Sequence, residues 1–192
     1  MANLLDRIKE SLNKQGYVPR SKAARLWLQS KVAELNPSKN ALMNDRNRVK
    51  NNSFIGQMYF YYYDPKTKDK LAYYDKFPLV IPIEIYPDGF LGLNLHYISP
   101  RDRILLLDKL SEIKTNNRYD STTKLKISYS FLSSFSKAYE ASPCIKRYLS
   151  SNIKSRFLEI SADEWDIAAL LPVESFVGAS KQKVWSESRK KY

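Results

Sequence analysis

The chain has 192 residues, a formal net charge of +12 and an apolar fraction of 43%. This length is enough for one well-packed core, and the apolar content excludes wholesale disorder. No apolar run approaches the roughly 18 residues of a membrane helix, so we expect no membrane partner. Cys144 is the one cysteine and His96 the one histidine, which excludes an internal disulfide and a Cys/His zinc site.

Residues 1–52 are predicted to form a basic helical arm and a linker. Leu4 to Leu12 carry apolar residues at helical spacing, and Ser21 fits the N-cap of a second helix that ends at Leu35. The polar stretch 44–52 is typical of a linker. The segment holds eleven basic and four acidic residues, a net of +7. Because charged residues interrupt the first apolar run, we expect no secretory signal and a protein made in the cytoplasm.

Three apolar runs within residues 56–97 predict a small antiparallel sheet or partly open barrel, covered by helices. The first run, 56–63, is rich in aromatic residues and is predicted to be a strand. Strand alternation gives it two apolar faces. One face should meet the core, and the other should meet a helix or a partner. The two faces comprise Met58, Phe60 and Tyr62, and Tyr59, Tyr61 and Tyr63.

The second and third runs are separated by a tight turn. The run 77–86 contains Pro78 and Pro82, which cannot donate a backbone hydrogen bond, so the strand lies at an edge or bends at Pro82. Gly89 can adopt the positive φ that the turn requires. The run 90–97 alternates cleanly, which places one set of side chains in the core. That set comprises Leu91, Leu93, Leu95 and Tyr97.

The rest of the predicted α+β body, residues 53–177, is assigned from local patterns. The charged segment Asp64–Lys70 predicts an exposed loop, and Ser161–Glu164 resembles a capping box before the apolar turn at Trp165. Pro100 begins a helix with an apolar stripe at Ile104, Leu105, Leu107, Leu110 and Ile113. Two further helices are predicted over 122–140 and 143–153, and a short strand over 157–160.

Residues 178–192 are predicted to form a basic helical tail. Lys181 and Trp185 are one helical turn apart, so an aromatic anchor lies inside a basic surface. Trp185 is expected to dock on the body, to stack on a terminal base or to fill a partner's pocket.

We expect no catalysis, cofactor, metal or small-molecule substrate. A Gly-rich phosphate loop, a nucleophile elbow and a paired His-carboxylate motif are all missing from the sequence. We assign His96 a structural role. Asp163, Glu164 and Asp166 suit the start of a helix better than a magnesium site.

The concentration of positive charge at both ends predicts a polyanionic partner. Double-stranded DNA, bound through phosphates without sequence preference and with strong salt dependence, fits best. Acidic protein or capsid surfaces remain an alternative. The candidate DNA-binding residues are Arg46, Arg48, Lys50, Lys66, Lys68, Lys70, Lys181, Lys183, Arg189, Lys190 and Lys191. The candidate partner-contact residues are Tyr59, Tyr61, Tyr63 and Trp185, where the three tyrosines offer base stacking as an alternative to a subunit interface.

Four sequence blocks resemble small virion proteins of T4-like tailed bacteriophages, including cyanophages, and among them the DNA end protector family. The resemblance covers about residues 54–192, and no functional residue of the family is matched. It implies a head-completion protein that binds the termini of packaged DNA, shields them from host exonuclease and resides in the virion after assembly in the host cytoplasm. The blocks are MYFYYYDPKTKDKLAYYDKFPLVIPIE, FLGLNLHYISPRDRILLLDKL, CIKRYL and DEWDIAALLPVESFVGASKQKVWSESRKKY.

The sequence therefore predicts a non-enzymatic phage protein that binds DNA and other virion proteins. A structural connector of the neck, tail or baseplate, with no direct DNA role, is the alternative. A nuclease would require two acidic clusters to converge in space. The oligomeric state is left open, a homo-oligomer included.

Overall fold

The computed structural model describes residues 4–118 and 144–189 and, between them, positions 120, 123, 128, 130, 131 and 134. The helices in this part are α1 (Leu4–Lys14), α2 (Lys22–Leu35), α3 (Lys39–Met43), α4 (Pro100–Thr115), α5 (Trp165–Leu170) and α6 (Lys181–Arg189). The strands are β1 (Val49–Lys50), β2 (Met58–Phe60), β3 (Tyr74–Asp75), β4 (Leu79–Tyr86), β5 (Gly89–Asn94), β6 (Ile145–Leu149), β7 (Phe157–Ile160) and β8 (Phe176–Val177).

The α+β prediction is confirmed, with more strands than the sequence indicated. Six strands form one antiparallel sheet in the order β1-β7-β2-β4-β5-β6, and β3 pairs with β8 in a separate ribbon. The sheet is not closed into a barrel. Within the described ranges, no helix is long and apolar enough to span a membrane. The helix predicted over 122–140 lies outside the described residues, apart from isolated positions.

The proline-containing strand β4 is interior and bent, so the edge-strand alternative is wrong. Its pairing with β5 shifts register between Pro82 and Glu84. β2 pairs with β4 only at Leu79 and Val80, so β2 needs no N–H group from Pro82. The Pro82 carbonyl instead accepts a hydrogen bond from the Gly56 amide at 2.9 Å.

The residues of the two predicted faces of β2 are confirmed, and each face enters a different core. The expectation that the second face meets a helix or a partner is wrong, because strand side chains of the same sheet cover it. Met58 and Phe60 belong to the large core that lies between the sheet and the helices. The other face contributes to a smaller aromatic core on the opposite side of the sheet. That core consists of Tyr59, Tyr61, Tyr63, Val80, Phe90, Tyr148 and Phe157, with Ile153 packed against it. The segment between β6 and β7 carries Ile153 and so helps to cover this second core.

The N-terminal helices share the large core with the sheet. Leu5 and Ile8 of α1 and Leu28 and Val32 of α2 are buried in the same cluster as Met58 of β2. Burial of their apolar faces stabilises these helices more than helix propensity does.

The helix predicted over residues 143–153 is wrong, because the described part of this segment, 144–153, contains strand β6 and a 3₁₀ turn from Ser150 to Asn152. β6 pairs with β5 along its whole length, and this pairing stabilises a strand where the short apolar run alone indicated a helix.

The third predicted strand, 90–97, is shorter in the structure. The chain leaves the strand conformation after Asn94, because the Asn94 side chain accepts a hydrogen bond from the His96 amide at the start of a 3₁₀ turn. In α4, Leu106 rather than Leu105 is buried.

Two leucines of different burial test the assignment of the large core. Leu93 on β5 is fully buried, whereas Leu105 on α4 is 55% exposed. We expect Leu93→Ala to lower the free energy of unfolding by about 2–5 kcal/mol, because it leaves a cavity. Leu105→Ala should change it by less than about 0.5 kcal/mol. Urea denaturation of the two variants measures both values, and equal losses would contradict the register of β5.

Candidate nucleic-acid interface

Three carboxylates at the start of α5 bind three cations from the N-terminal region. Asp163 pairs with Lys9, Glu164 pairs with Arg48, and Asp166 accepts a hydrogen bond from Arg25 at 3.0 Å. The predicted capping box is wrong, because Ser161 makes no side-chain cap and Glu164 turns toward Arg48. These carboxylates therefore hold the N-terminal segment against the body.

Arg48 is the most heavily paired of the cations predicted to contact DNA. Besides Glu164 it contacts Asp6 and, at 2.9 Å, Asp45. Hydrogen bonding to the buried Glu164 carboxylate outweighs the desolvation of Arg48 and raises the pKa of its guanidinium. The positive charge of Arg48 is therefore neutralised by carboxylates of its own chain. Arg46 and Lys50, in contrast, are exposed and form no ion pair with another residue of the described ranges.

A cleft of about 370 Å³ opens between the loop after β2 and the edge strand β6. The loop contributes Lys66, and β6 contributes Lys146 and Arg147. Because β1 and β6 are the two outer strands of the sheet, this cleft lies at the edge opposite Lys50. The remaining lining residues are Tyr63, Pro65, Thr67, Leu71, Tyr73, Tyr74, Asp75, Tyr97, Tyr148 and Leu149.

The cations around the cleft differ in how firmly they are held. Lys66 is exposed, whereas Lys68 on the same loop pairs with Asp64 at 3.0 Å. The Lys146 ammonium lies 4.6 Å from the centroid of the Tyr97 ring, a cation-π contact that places it on the wall. Sequence reasoning missed Lys146 and Arg147, because the block that contains them was read as a helix.

Arg147 is exposed at the rim of the cleft, where three contacts orient its guanidinium. Its guanidinium pairs with Asp88, donates to the Tyr148 carbonyl at 2.9 Å and lies 4.3 Å from the centroid of the Tyr86 ring. Gly89 must be glycine at this junction, since a Cβ atom there would lie 1.9 Å from the Tyr148 carbonyl oxygen.

The aromatic wall of the cleft is anchored to α6. The Tyr73 hydroxyl donates to the Glu187 carboxylate at 2.8 Å, and Ser188 donates to the Tyr97 carbonyl at 2.7 Å. Burial, together with Glu187, raises the pKa of Tyr73 to about 12, so its hydroxyl stays neutral. The ring of Tyr74 is half-buried and has no aromatic neighbour in the described part of the chain.

A buried polar network forms the floor of the cleft. The Asp75 carboxylate contacts His96 Nδ1 at 2.7 Å and the Asn94 amide at 3.3 Å, and that amide also donates to the Tyr148 hydroxyl at 3.1 Å. Burial opposes ionisation of Asp75, but His96 and the hydrogen bonds outweigh it and lower the pKa of the carboxyl. His96 is itself fully buried, in keeping with the structural role that we expect.

The predicted C-terminal helix is confirmed as α6 as far as Arg189, and its cations are only loosely paired. Lys181 lies 3.8 Å from Glu174, Lys183 lies 4.0 Å from Glu187, and Arg189 lies 3.8 Å from Asp102. At surface distances such as these, ion pairs contribute little. Lys190 and Lys191 lie outside the described residues.

Trp185 is docked on the body of its own chain, which is one of the three placements expected for it. Its indole N–H donates to the His96 carbonyl at 2.9 Å, and the Arg103 guanidinium lies 5.6 Å from the ring centroid. Arg103 is fully buried and pairs with Glu174 at 2.7 Å.

The structure thus separates the predicted site residues into three groups. Lys66, Lys68 and Lys70 lie on the loop beside the cleft, and α6 flanks it through Tyr73. Arg46 and Lys50 lie near the other edge of the sheet. Tyr59 and Tyr61 are buried inside the aromatic core, and Tyr63 is 8% exposed, so these three rings offer almost no surface to a partner.

A comparison with known protein families assigns the chain to one of them. Residues 2–190 match the family described as Phage T4 terminal DNA protecting protein. The chain belongs to this family. The resemblance found in the four sequence blocks is confirmed and extends to the N-terminal segment. No curated protein and no solved structure matches the chain.

The buried pairing of Arg48 with Glu164 is open to a direct energetic test. We expect a double-mutant cycle of Arg48→Ala and Glu164→Ala to give a coupling energy of about 1–3 kcal/mol, because Glu164 is 1% exposed. The exposed pair Lys31 and Glu34 is the control, with an expected coupling of about 0.5 kcal/mol or less. Urea denaturation gives all the values, and similar coupling energies for the two pairs would show that the interaction does not anchor the N-terminal segment.

Proposed function

We propose that this protein binds the ends of packaged double-stranded DNA, shields them from host exonuclease during head completion and remains in the virion. The observation that carries the proposal is the cleft, in which Lys66, Lys146 and Arg147 meet a tyrosine-rich wall. Belonging to a family described by terminal DNA protection supports the same role.

The geometry supports contacts with DNA phosphates around the cleft. Lys66 and Lys70 are exposed on the loop, and Lys183 and Arg189 are exposed on α6 on the other side of Tyr73. Phosphate contacts of this kind carry no sequence information and weaken steeply with salt. Binding is therefore independent of the terminal sequence.

The acidic residues fit this non-catalytic role. A nuclease would need carboxylates that converge on a metal, yet Asp163, Glu164 and Asp166 each pair with a cation of the N-terminal segment. Within the described ranges, no group of three or more metal-ligating side chains occurs. We infer that the protein protects DNA by covering its ends.

A structural connector of the neck, tail or baseplate is the second candidate, and exposed apolar side chains favour it. Phe54 is 64% exposed and Ile85 is 48% exposed, and both offer apolar surface to another virion protein. Trp185 no longer supports this role as a partner anchor, because its indole is bound to the body of its own chain.

Two charge-reversal variants of equal net charge test the location of the DNA site. Lys66→Glu with Lys70→Glu, and Arg46→Glu with Lys50→Glu, each change the net charge from +12 to +8. We expect only the first pair to abolish protection of linear double-stranded DNA from an exonuclease, because its residues adjoin the cleft. The assay follows the survival of full-length DNA with increasing protein concentration.

The salt dependence supplies a second readout. The first pair should also flatten the slope of log affinity against log salt concentration, by close to one unit for each phosphate that the variant no longer neutralises. Equal loss of protection in both variants would mean that total charge, and not the cleft, binds DNA. Failure of the unmodified protein to protect DNA would favour the connector.

A further inference from the structure

We propose that the cleft holds the 5′-phosphorylated terminal nucleotide of one strand, separated from its complement. The base stacks against Tyr74, and the phosphate lies between Lys66 and Lys146. This inference rests on the proposed function and specifies which part of a DNA end is recognised.

The size of the cleft fits a nucleotide better than a duplex. About 370 Å³ lies within the range of small-molecule sites, roughly 300–1,000 Å³, and a single phosphate would fill only a small part of it. A paired duplex end is too large to enter, so a nucleotide that reaches the cleft has left its base pair. Unpairing is least costly at a DNA end, where a base has only one stacked neighbour.

Tyr74 has the ring best placed to stack on a base. Its backbone is held in β3, where it pairs with Val177 of β8. The other cleft tyrosines already contact aromatic rings, as Tyr73 does with Phe176 and Tyr63 does with Tyr148. Tyr74 makes no such contact with any described residue, and stacking on an aromatic ring tolerates any base.

Leu71 supplies an apolar surface on the same cleft. This side chain is 42% exposed and lines the cleft. A base in the cleft would cover it and remove apolar area from water.

The charges distinguish a terminal phosphate from an internal one. A 5′-terminal monoester carries nearly two negative charges at neutral pH, whereas an internal diester carries one. Lys66 is exposed with no ion-pair partner in the described part of the chain, and Lys146 is held on the wall by Tyr97. The Asp75 carboxylate forms part of the floor, so repulsion keeps the phosphate at the rim beside the two lysines.

Binding of short blunt duplexes to the full chain tests this assignment. We expect duplexes with 5′-phosphates to bind more tightly than duplexes with 5′-hydroxyls. Tyr74→Ala should weaken binding to phosphorylated ends roughly 5- to 150-fold, which corresponds to one stacked base. Tyr74→Phe should retain affinity, and Tyr17→Ala, at a half-buried tyrosine of the N-terminal segment, should have no effect.

Two lysine variants, one at the cleft and one as a control, test the proposed contact with the 5′-phosphate. Lys66→Ala should remove the preference for 5′-phosphate. Lys50→Ala, at another exposed lysine near the opposite sheet edge, should not. If Tyr74→Ala does not fold, competition with the unmodified protein gives the same information. A deoxynucleoside 5′-monophosphate should then displace the duplex more effectively than a deoxynucleoside or inorganic phosphate.

The outcomes separate this inference from the proposed function. Equal affinity for phosphorylated and hydroxyl ends, or full affinity in Tyr74→Ala, would overturn the nucleotide site while leaving end protection intact. Duplexes whose ends are both closed by hairpin loops should bind weakly. If they bind as tightly as open duplexes, the protein does not recognise DNA ends and both proposals fail.

Discussion

Strand β2 is apolar on both faces, and the rest of the fold depends on covering both of them. Met58 and Phe60 are covered by helices from both ends of the chain, which explains why the N-terminal helices belong to the large core. The tyrosine face is covered by the curved sheet itself, with Tyr148 of β6 and Phe157 of β7 closing the aromatic core. Edge-to-face packing orients these rings, as between Tyr61 and Phe157, whose centroids are 5.1 Å apart. The same packing fixes β6 beside the loop after β2 and so forms the cleft.

The disposition of charge follows from this arrangement. The N-terminal segment carries most of the net positive charge. Three of its cations, however, bind carboxylates at the start of α5, namely Lys9, Arg25 and Arg48. The side chains of Arg25 and Arg48 are only 19% and 18% exposed, and a partly buried ion pair is costly to break, so these two charges are held within the fold. The pair of Lys9 with Asp163 is exposed and contributes less. Lys66 and Lys146 lie at the opposite side of the sheet, where Lys66 is exposed and forms no ion pair with another described residue. Net charge therefore predicts the kind of partner, and the pairing of charges within the fold is the reason that we propose the cleft as its binding surface.

Much of the sheet could be predicted from the sequence, since alternation is a local property. The two faces of β2, the turn at Gly89 and the strand 157–160 were predicted correctly on this basis. Strand β6 was missed because its identity depends on pairing with β5, which no local pattern of 143–153 reveals. The cleft was missed for the same reason, as Lys146 and Arg147 lie about eighty residues from Lys66 along the chain. The β-branched and aromatic residues Ile145 and Tyr148 were the available signal for a strand.

Hydrogen exchange of the full chain, with and without a blunt 5′-phosphorylated duplex, tests the central claim most directly. If the cleft binds DNA ends, the amides of the loop 66–72 and of Tyr74 exchange more slowly in the complex. Those of residues 46–50, near the opposite edge of the sheet, stay unchanged. Slower exchange confined to residues 46–50, or no change in the loop under conditions in which the DNA is protected from exonuclease, would contradict the account.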